Sequence, residues 1–141
     1  MNATQIEIVR SSFARLQPIA DAAAAIFYEK LFALDPTLRP LFKGDIAAQG
    51  QRLMSMIAAA VRLLDRPDDL LPVLRMLGAR HAGYGVQESH YATVGEALVD
   101  TLREGLGAAF TAEVCDAWIA AYGIIARTMQ EGAREAAAVP A

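Results

Sequence analysis

Apolar residues recur along this chain at intervals of three and four, and no stretch alternates with period two for long enough to make a strand. The pattern predicts helices throughout. Thr4-Gln5-Ile6-Glu7 reads as a capping box opening a first helix, with Ile8, Val9, Phe13 and Leu16 apolar. Pro18 ends that helix or starts the next. Residues 19–34 form a second helix carrying Ile26, Phe27, Leu31 and Phe32. Asp35-Pro36 caps a short turn through Leu38 and Leu41 to Phe42, and Gly44-Asp45 is a loop. A third long helix covers about 47–64, with Leu53, Ile57, Ala60 and Leu64 on its buried face, and Asp65-Arg66-Pro67-Asp68 breaks it. A fourth helix has Pro72 near its first turn and ends at Gly83 or Gly85. Ser89 is the expected cap of a fifth, about 90–106, closed by Gly107, and Thr111 the cap of a last one through about 131. The tail from about residue 134 is expected to fray. With about six to eight helices, short connections and no internal repeat or linker, the expected class is all-α, in a single domain over residues 1–141.

Composition narrows this picture. Hydrophobic residues make up 55% of the chain, above the usual share for a soluble domain, and much of the excess is alanine, which marks close helix packing. No apolar run approaches the roughly 18 residues that a spanning helix requires, so no membrane insertion is expected. The start, Met1-Asn2-Ala3-Thr4-Gln5-Ile6-Glu7, lacks the charged and apolar regions of a signal peptide. The net charge is −3 and no lysine or arginine cluster stands out, which argues against nucleic acid and anionic membrane as partners. Cys115 is the only cysteine, so an intramolecular disulfide is excluded, which suits a reducing cytoplasm, the expected location. One cysteine and two histidines are too few for a conventional zinc site.

Candidate chemistry centres on His81. On the fourth helix Leu70, Leu74, Leu77 and His81 fall at i, i+4, i+7 and i+11, so the leucines carry the imidazole toward apolar surroundings. An imidazole there needs a partner for its ring nitrogens, which can be a backbone carbonyl, a polar side chain or a metal. Axial ligation of a haem iron is one such use. There is no Cys-x-x-Cys-His, so a haem would be held without thioether links. On the third helix Gln49, Leu53, Met56 and Ala60 repeat the same spacing, which points Gln49 inward at the helix start with Leu53 one turn deeper. A glutamine there also reads as a solvated helix-start residue. Tyr28 follows the apolar pair Ile26-Phe27, and its hydroxyl needs a partner if buried. Phe42 follows a proline-pinned turn, and His90 reads as a surface or helix-start residue.

Five segments, in order, carry a resemblance that covers about Ile6 to Met129. They are Phe27-Tyr28-Glu29-Lys30-Leu31-Phe32, Asp35-Pro36-Thr37-Leu38-Arg39-Pro40-Leu41-Phe42, His81-Ala82-Gly83-Tyr84-Gly85-Val86, His90-Tyr91-Ala92-Thr93-Val94-Gly95 and Ala117-Trp118-Ile119-Ala120-Ala121-Tyr122-Gly123. With them the chain resembles the globin family, specifically the bacterial single-domain globins and the globin domain of flavohaemoglobins. The resemblance implies a globin fold around a pocket for haem b, iron protoporphyrin IX bound non-covalently. It implies His81 as the proximal iron ligand, Phe42 wedged against the porphyrin face, and Gln49 and Tyr28 as the distal polar pair. Leu53 would limit the space beside the bound gas. Arg80 and Arg52 are candidates for the haem propionates, or solvated surface charges. Tyr91 matches a tyrosine that this group places, with a glutamate, in a hydrogen-bonded network around the proximal histidine. The position of that acid falls at Ala133, so this chain departs from the pattern that gives the network its electron-donating push.

The function so implied is reversible, high-affinity binding of O2, with CO and NO as further ligands. Tyr28 and Gln49 would hydrogen-bond the polar O2 ligand and slow its release, and CO would gain less. Nitric oxide dioxygenation is the alternative that would make the protein an enzyme, and a haem-based gas sensor is a third. The chain carries no Gly-rich nucleotide motif, so turnover is expected to draw on a separate reductase. A haem-free helical interaction module would leave the ordered Tyr28, Phe42, Gln49 and His81 unexplained.

Overall fold

The computed structural model describes residues 1–138, and helical periodicity governs all of it: six α-helices and three short 3₁₀ turns, with no strand among the described residues. The helices are α1 (Ala3–Leu16), α2 (Ala20–Leu34), α3 (Ile46–Arg62), α4 (Pro67–Gly83), α5 (Glu88–Leu106) and α6 (Ala112–Ala138).

The ends differ from expectation where caps compete. Asn2 rather than Thr4 caps α1: its side-chain oxygen accepts from the Gln5 N–H at 2.8 Å, and Gln5 Oε1 accepts from the Asn2 N–H at 3.1 Å. The capping box thus sits two residues earlier and still satisfies two orphan donors. Pro67 takes the first position of α4, where a missing N–H costs nothing, so Pro72 lies inside the helix rather than in its first turn. Ser89 does not cap α5, which starts at Glu88; His90 Nδ1 accepts from the Gln87 N–H at 3.0 Å, giving His90 a helix-start role. Thr111 does cap α6, its hydroxyl oxygen accepting from the Val114 N–H at 3.3 Å. That helix passes the expected end at 131 and runs to Ala138. The tail expected to fray is therefore helical over 134–138, and its remainder, 139–141, lies outside the described residues.

The larger core gathers Val9, Phe13 and Leu16 of α1, Leu70 and Leu74 of α4, Leu102 of α5 and Trp118 and Met129 of α6. A buried polar link in this core joins α1 to α6. The Trp118 indole N–H donates to Ser12 Oγ at 2.8 Å, and Ser12 donates back to the Ile8 carbonyl at 2.7 Å. Ser12→Ala is expected to destabilise the fold by about 1–3 kcal/mol, because it leaves a buried indole N–H unpaired. Urea unfolding followed by far-UV circular dichroism reads this. In Trp118→Phe, which removes the donor, the same Ser12→Ala change should cost much less.

Two helix crossings place the site. Gly78 on α4 and Gly132 on α6 face each other's backbones: a Cβ at Gly78 would overlap the Met129 carbonyl, and one at Gly132 the Arg75 carbonyl. The helices therefore pack at backbone contact just before His81. At the second crossing a Cβ on Gly50 would lie 2.9 Å from Ala24 Cβ and 3.7 Å from Tyr28 Cε2, so α3 rides tightly over α2 beside Tyr28. With α4 held to α6, and α3 held to α2, no extended packing joins α3 to α4 among the described residues. They form two walls, bridged where Leu41 packs against Gly85, whose φ of +93° suits glycine.

Candidate functional site

The first wall is an aromatic cluster. Tyr28 is only 5% exposed. Its ring meets Phe27 and Phe42 edge-on, each at 5.3 Å between centroids, and stacks on Phe32 at 5.9 Å. Phe32 stands one helical turn beyond Tyr28 on α2. The chain then reverses through the Pro36–Leu41 turn, where Asp35 accepts from the Thr37 N–H at 3.0 Å, and this brings Phe42 back onto both rings. Arg39 fastens the return: its guanidinium lies 5.4 Å over Phe32 and donates to the Phe42 carbonyl at 3.1 Å. Each such aromatic pair adds about 0.5–1.5 kcal/mol beyond its burial, so the Tyr28 ring is held firmly.

Its hydroxyl is not. It makes no hydrogen bond among the described residues, yet no sealed side-chain polar atom there lacks a partner, so the oxygen opens onto a space. Burial pushes the Tyr28 pKa up, and the charge of Arg52 opposes this. With the folded-state pKa raised, the hydroxyl keeps its proton throughout the neutral range and beyond the ordinary tyrosine value. It stays a hydrogen-bond donor to whatever enters that space.

The second wall carries His81 in the last turn of α4. Its Nδ1 lies 2.7 Å from the Leu77 carbonyl. A carbonyl only accepts, so Nδ1 carries the proton and Nε2 the lone pair. Nε2 makes no hydrogen bond among the described residues. A neutral imidazole with one nitrogen fixed by a carbonyl and the other free is the form in which histidine binds metals. Leu77 of α4, Leu53 of α3, Phe42 and Val86 are half-buried although they are apolar, and Met56 is 39% exposed. Apolar walls left uncovered, a free imidazole nitrogen and an unpartnered donor suit a flat apolar group that carries a metal.

The structure gathers Tyr28, Phe42 and Leu53 into one cluster with Leu41 and Val94. It corrects two expectations, for Gln49 and for Tyr91. Gln49 does not point inward: its amide donates to the Lys43 carbonyl, because the loop before α3 leaves that acceptor unpaired and within reach. Tyr91 is buried but forms no hydrogen bond with His81, whose Nδ1 is already taken by Leu77; the Tyr91 carbonyl instead accepts from the Tyr122 hydroxyl at 2.6 Å. No carboxylate pairs with His81 among the described residues: Ala133 stands at the acid position, and Glu131 and Glu135 both reach Arg75, at 3.9 Å. Arg52 and Arg80 are exposed and form no ion pair among the described residues. Phe32, Arg39 and the Leu77 carbonyl are the site's unanticipated members. The i, i+4 spacing of Phe32 from Tyr28, and of Leu77 from His81, was the signal available for two of them.

The Globin family model matches residues 25–129. A flavohemoprotein of Bordetella parapertussis is 37% identical over 122 residues, which is 84% of this chain but 30% of that relative. The chain thus spans under a third of the length of this curated relative. Among solved structures, a Rhodothermus marinus protein, engineered as a carbene transferase and provisionally called a nitric oxide dioxygenase, superposes with a TM-score of 0.87 at 31% identity, over 98% of this chain and 96% of its own. A bacterial globin from Campylobacter jejuni shares the fold, with a TM-score of 0.83 at 23% identity, covering 95% of this chain and 97% of its own.

Proposed function

This chain belongs to the globin family, and from that premise we propose that the slot between α3 and α4 holds haem b on His81 and that the protein binds O2 reversibly. The observation that carries the reading is the His81 imidazole, fixed through Nδ1 to the Leu77 carbonyl at 2.7 Å with Nε2 free. A bound ferrous porphyrin supplies a centre that takes up diatomic gases. His81 Nε2 holds the metal, and the Leu77 carbonyl sets the ring's rotation. Phe42 packs on the porphyrin and Leu53 limits the room on the distal side. Tyr91 backs the proximal helix, and Arg52 and Arg80 meet the porphyrin's carboxylates. Tyr28 is the principal donor to the gas, since the Gln49 amide is engaged by Lys43.

Absorption spectra of the purified protein, then with dithionite, then with air and CO, test this directly. A Soret band that shifts with each gas supports the reading; no Soret band, even with added hemin, overturns it. Tyr28→Phe is expected to speed O2 release at least about tenfold, because a charge-assisted hydrogen bond worth about 1.5–3 kcal/mol is lost. Stopped-flow displacement of O2 by CO measures the rate, and an unchanged rate removes Tyr28 as the main donor.

Oxidation of NO by O2 to nitrate, taking one electron from a reductase, is a second reading. The flavohemoprotein relatives and the Rhodothermus neighbour favour it. Nitrate formed over many turnovers with a reductase present, and none without, distinguishes it from simple carriage.

A further inference from the structure

Arg39 is an exposed residue of the Pro36–Leu41 turn and forms no ion pair among the described residues. Its polar groups are turned to the aromatic wall instead. The Arg39 carbonyl accepts from the Phe42 N–H at 3.1 Å, and the guanidinium donates to the Phe42 carbonyl, also at 3.1 Å. The same guanidinium lies 5.4 Å from the centre of the Phe32 ring. One surface side chain therefore grips Phe42 at both of its backbone polar groups and ties it to Phe32. Guanidinium chemistry suits this double task. A planar cation stacks on a ring and donates within its own plane at the same time, which a compact ammonium cannot do.

Phe42 depends on that grip. It ends the turn in an extended conformation, and Gly44 soon follows at φ +86° with nothing within 4 Å of its Cβ position, so packing on that side adds little. Tyr28 depends on Phe42 in turn. Its hydroxyl makes no hydrogen bond among the described residues, so the rings around it decide where the oxygen points. Those rings are Phe27, next to it on α2, and Phe32 and Phe42. Phe32 and Phe42 also meet each other edge-on at 5.5 Å, so a shift of one disturbs two of the three contacts.

We propose that Arg39 is a positioning residue for gas retention: through Phe42 and Phe32 it sets the direction of the Tyr28 hydroxyl, and so the rate of O2 release. The clamp itself is independent of the haem reading; its effect on the gas rests on that reading.

Arg39→Ala in the haem-loaded protein is the test. O2 release is expected to quicken about 3–10-fold, within the range by which residues along a packed chain modulate a site they do not contact. The infrared C–O stretch of the CO complex is expected to move toward its value in Tyr28→Phe, because the bound gas loses its donor. In a Tyr28→Phe background, adding Arg39→Ala is expected to change neither the rate nor the stretch, since no hydroxyl is left to aim. An additive effect in that background overturns the proposal, and so do an unchanged rate and stretch in Arg39→Ala alone. Should Arg39→Ala not fold, Arg39→Gln, which removes the charge over Phe32, is read in the same way. Absence of a Soret band would instead sink the haem reading. Hydrogen exchange at the Phe42 amide of the haem-free protein then still decides on the clamp, which requires faster exchange in Arg39→Ala.

Discussion

Replacing His81 with glycine is expected to abolish tight haem uptake, and imidazole added to the solution is expected to restore it. The argument rests on what the substitution leaves behind. Glycine opens a hole the size of the lost ring, and the Leu77 carbonyl, which accepts from Nδ1–H at 2.7 Å, remains to orient a free imidazole in that hole. Position 81 lies two residues before the end of α4, so the helix loses little from glycine there. Changes to residues that merely support a metal ligand typically cost 10–100-fold in affinity. Loss of the ligand itself is expected to exceed about 100-fold in hemin affinity. Soret titration with hemin measures it, with and without imidazole. Unchanged affinity in His81→Gly would mean that another group holds the iron; loss without rescue would point to damage in α4 instead.

Local spacing was enough to read the helical class and the apolar face that ends at His81, both of which follow from the 3.6-residue repeat acting on neighbouring positions. The grouping of Tyr28, Phe42 and Leu53, which lie on different elements, was legible only through the resemblance to the globin family. Gln49 shows where that reasoning stops. Periodicity places its Cα on the inward side, but the long side chain turns to the nearest unpaired acceptor, the Lys43 carbonyl six residues back, and no pattern of apolar positions reports an unpaired carbonyl. Asn2 and Gln5 replaced Thr4 and Glu7 for a related reason: two overlapping capping boxes were available and the chain takes the earlier one. Tyr91 matched its motif, yet the His81 Nδ1–H donates to the Leu77 carbonyl instead. The spacing between α4 and α6 was beyond reach altogether. It is set by Gly78 and Gly132, which are 54 positions apart, and glycine inside a helix reads locally only as a weakness.

That spacing yields the second large effect. Gly78→Ala is expected to lower stability by about 2 kcal/mol or more and to weaken haem binding with it. Taken alone, alanine for glycine inside a helix gains up to about 1 kcal/mol. Against this, the new methyl meets the Met129 carbonyl, a backbone atom that cannot rotate away, so α4 must move off α6. Overpacking a core costs about 1–3 kcal/mol when side chains can adjust, and here a helix has to shift instead. For a domain of this size each kcal/mol is worth about 3–6 °C in Tm. Gly132→Ala should do similar harm, since its methyl meets the Arg75 carbonyl. The double variant should fall short of the sum, because helices already parted admit the second methyl more cheaply. Gly123→Ala is the control: nothing lies within 4 Å of its Cβ position, so it should be neutral or slightly stabilising. Because Gly78 precedes His81 by less than one turn, the displacement carries the imidazole with it, and the hemin affinity of Gly78→Ala should fall even where the protein is still folded. Calorimetric melting beside hemin titration separates the two losses. A melting temperature equal to that of the wild type would show that α4 and α6 can part at no cost, and the close glycine crossing would then not be what holds His81 in place.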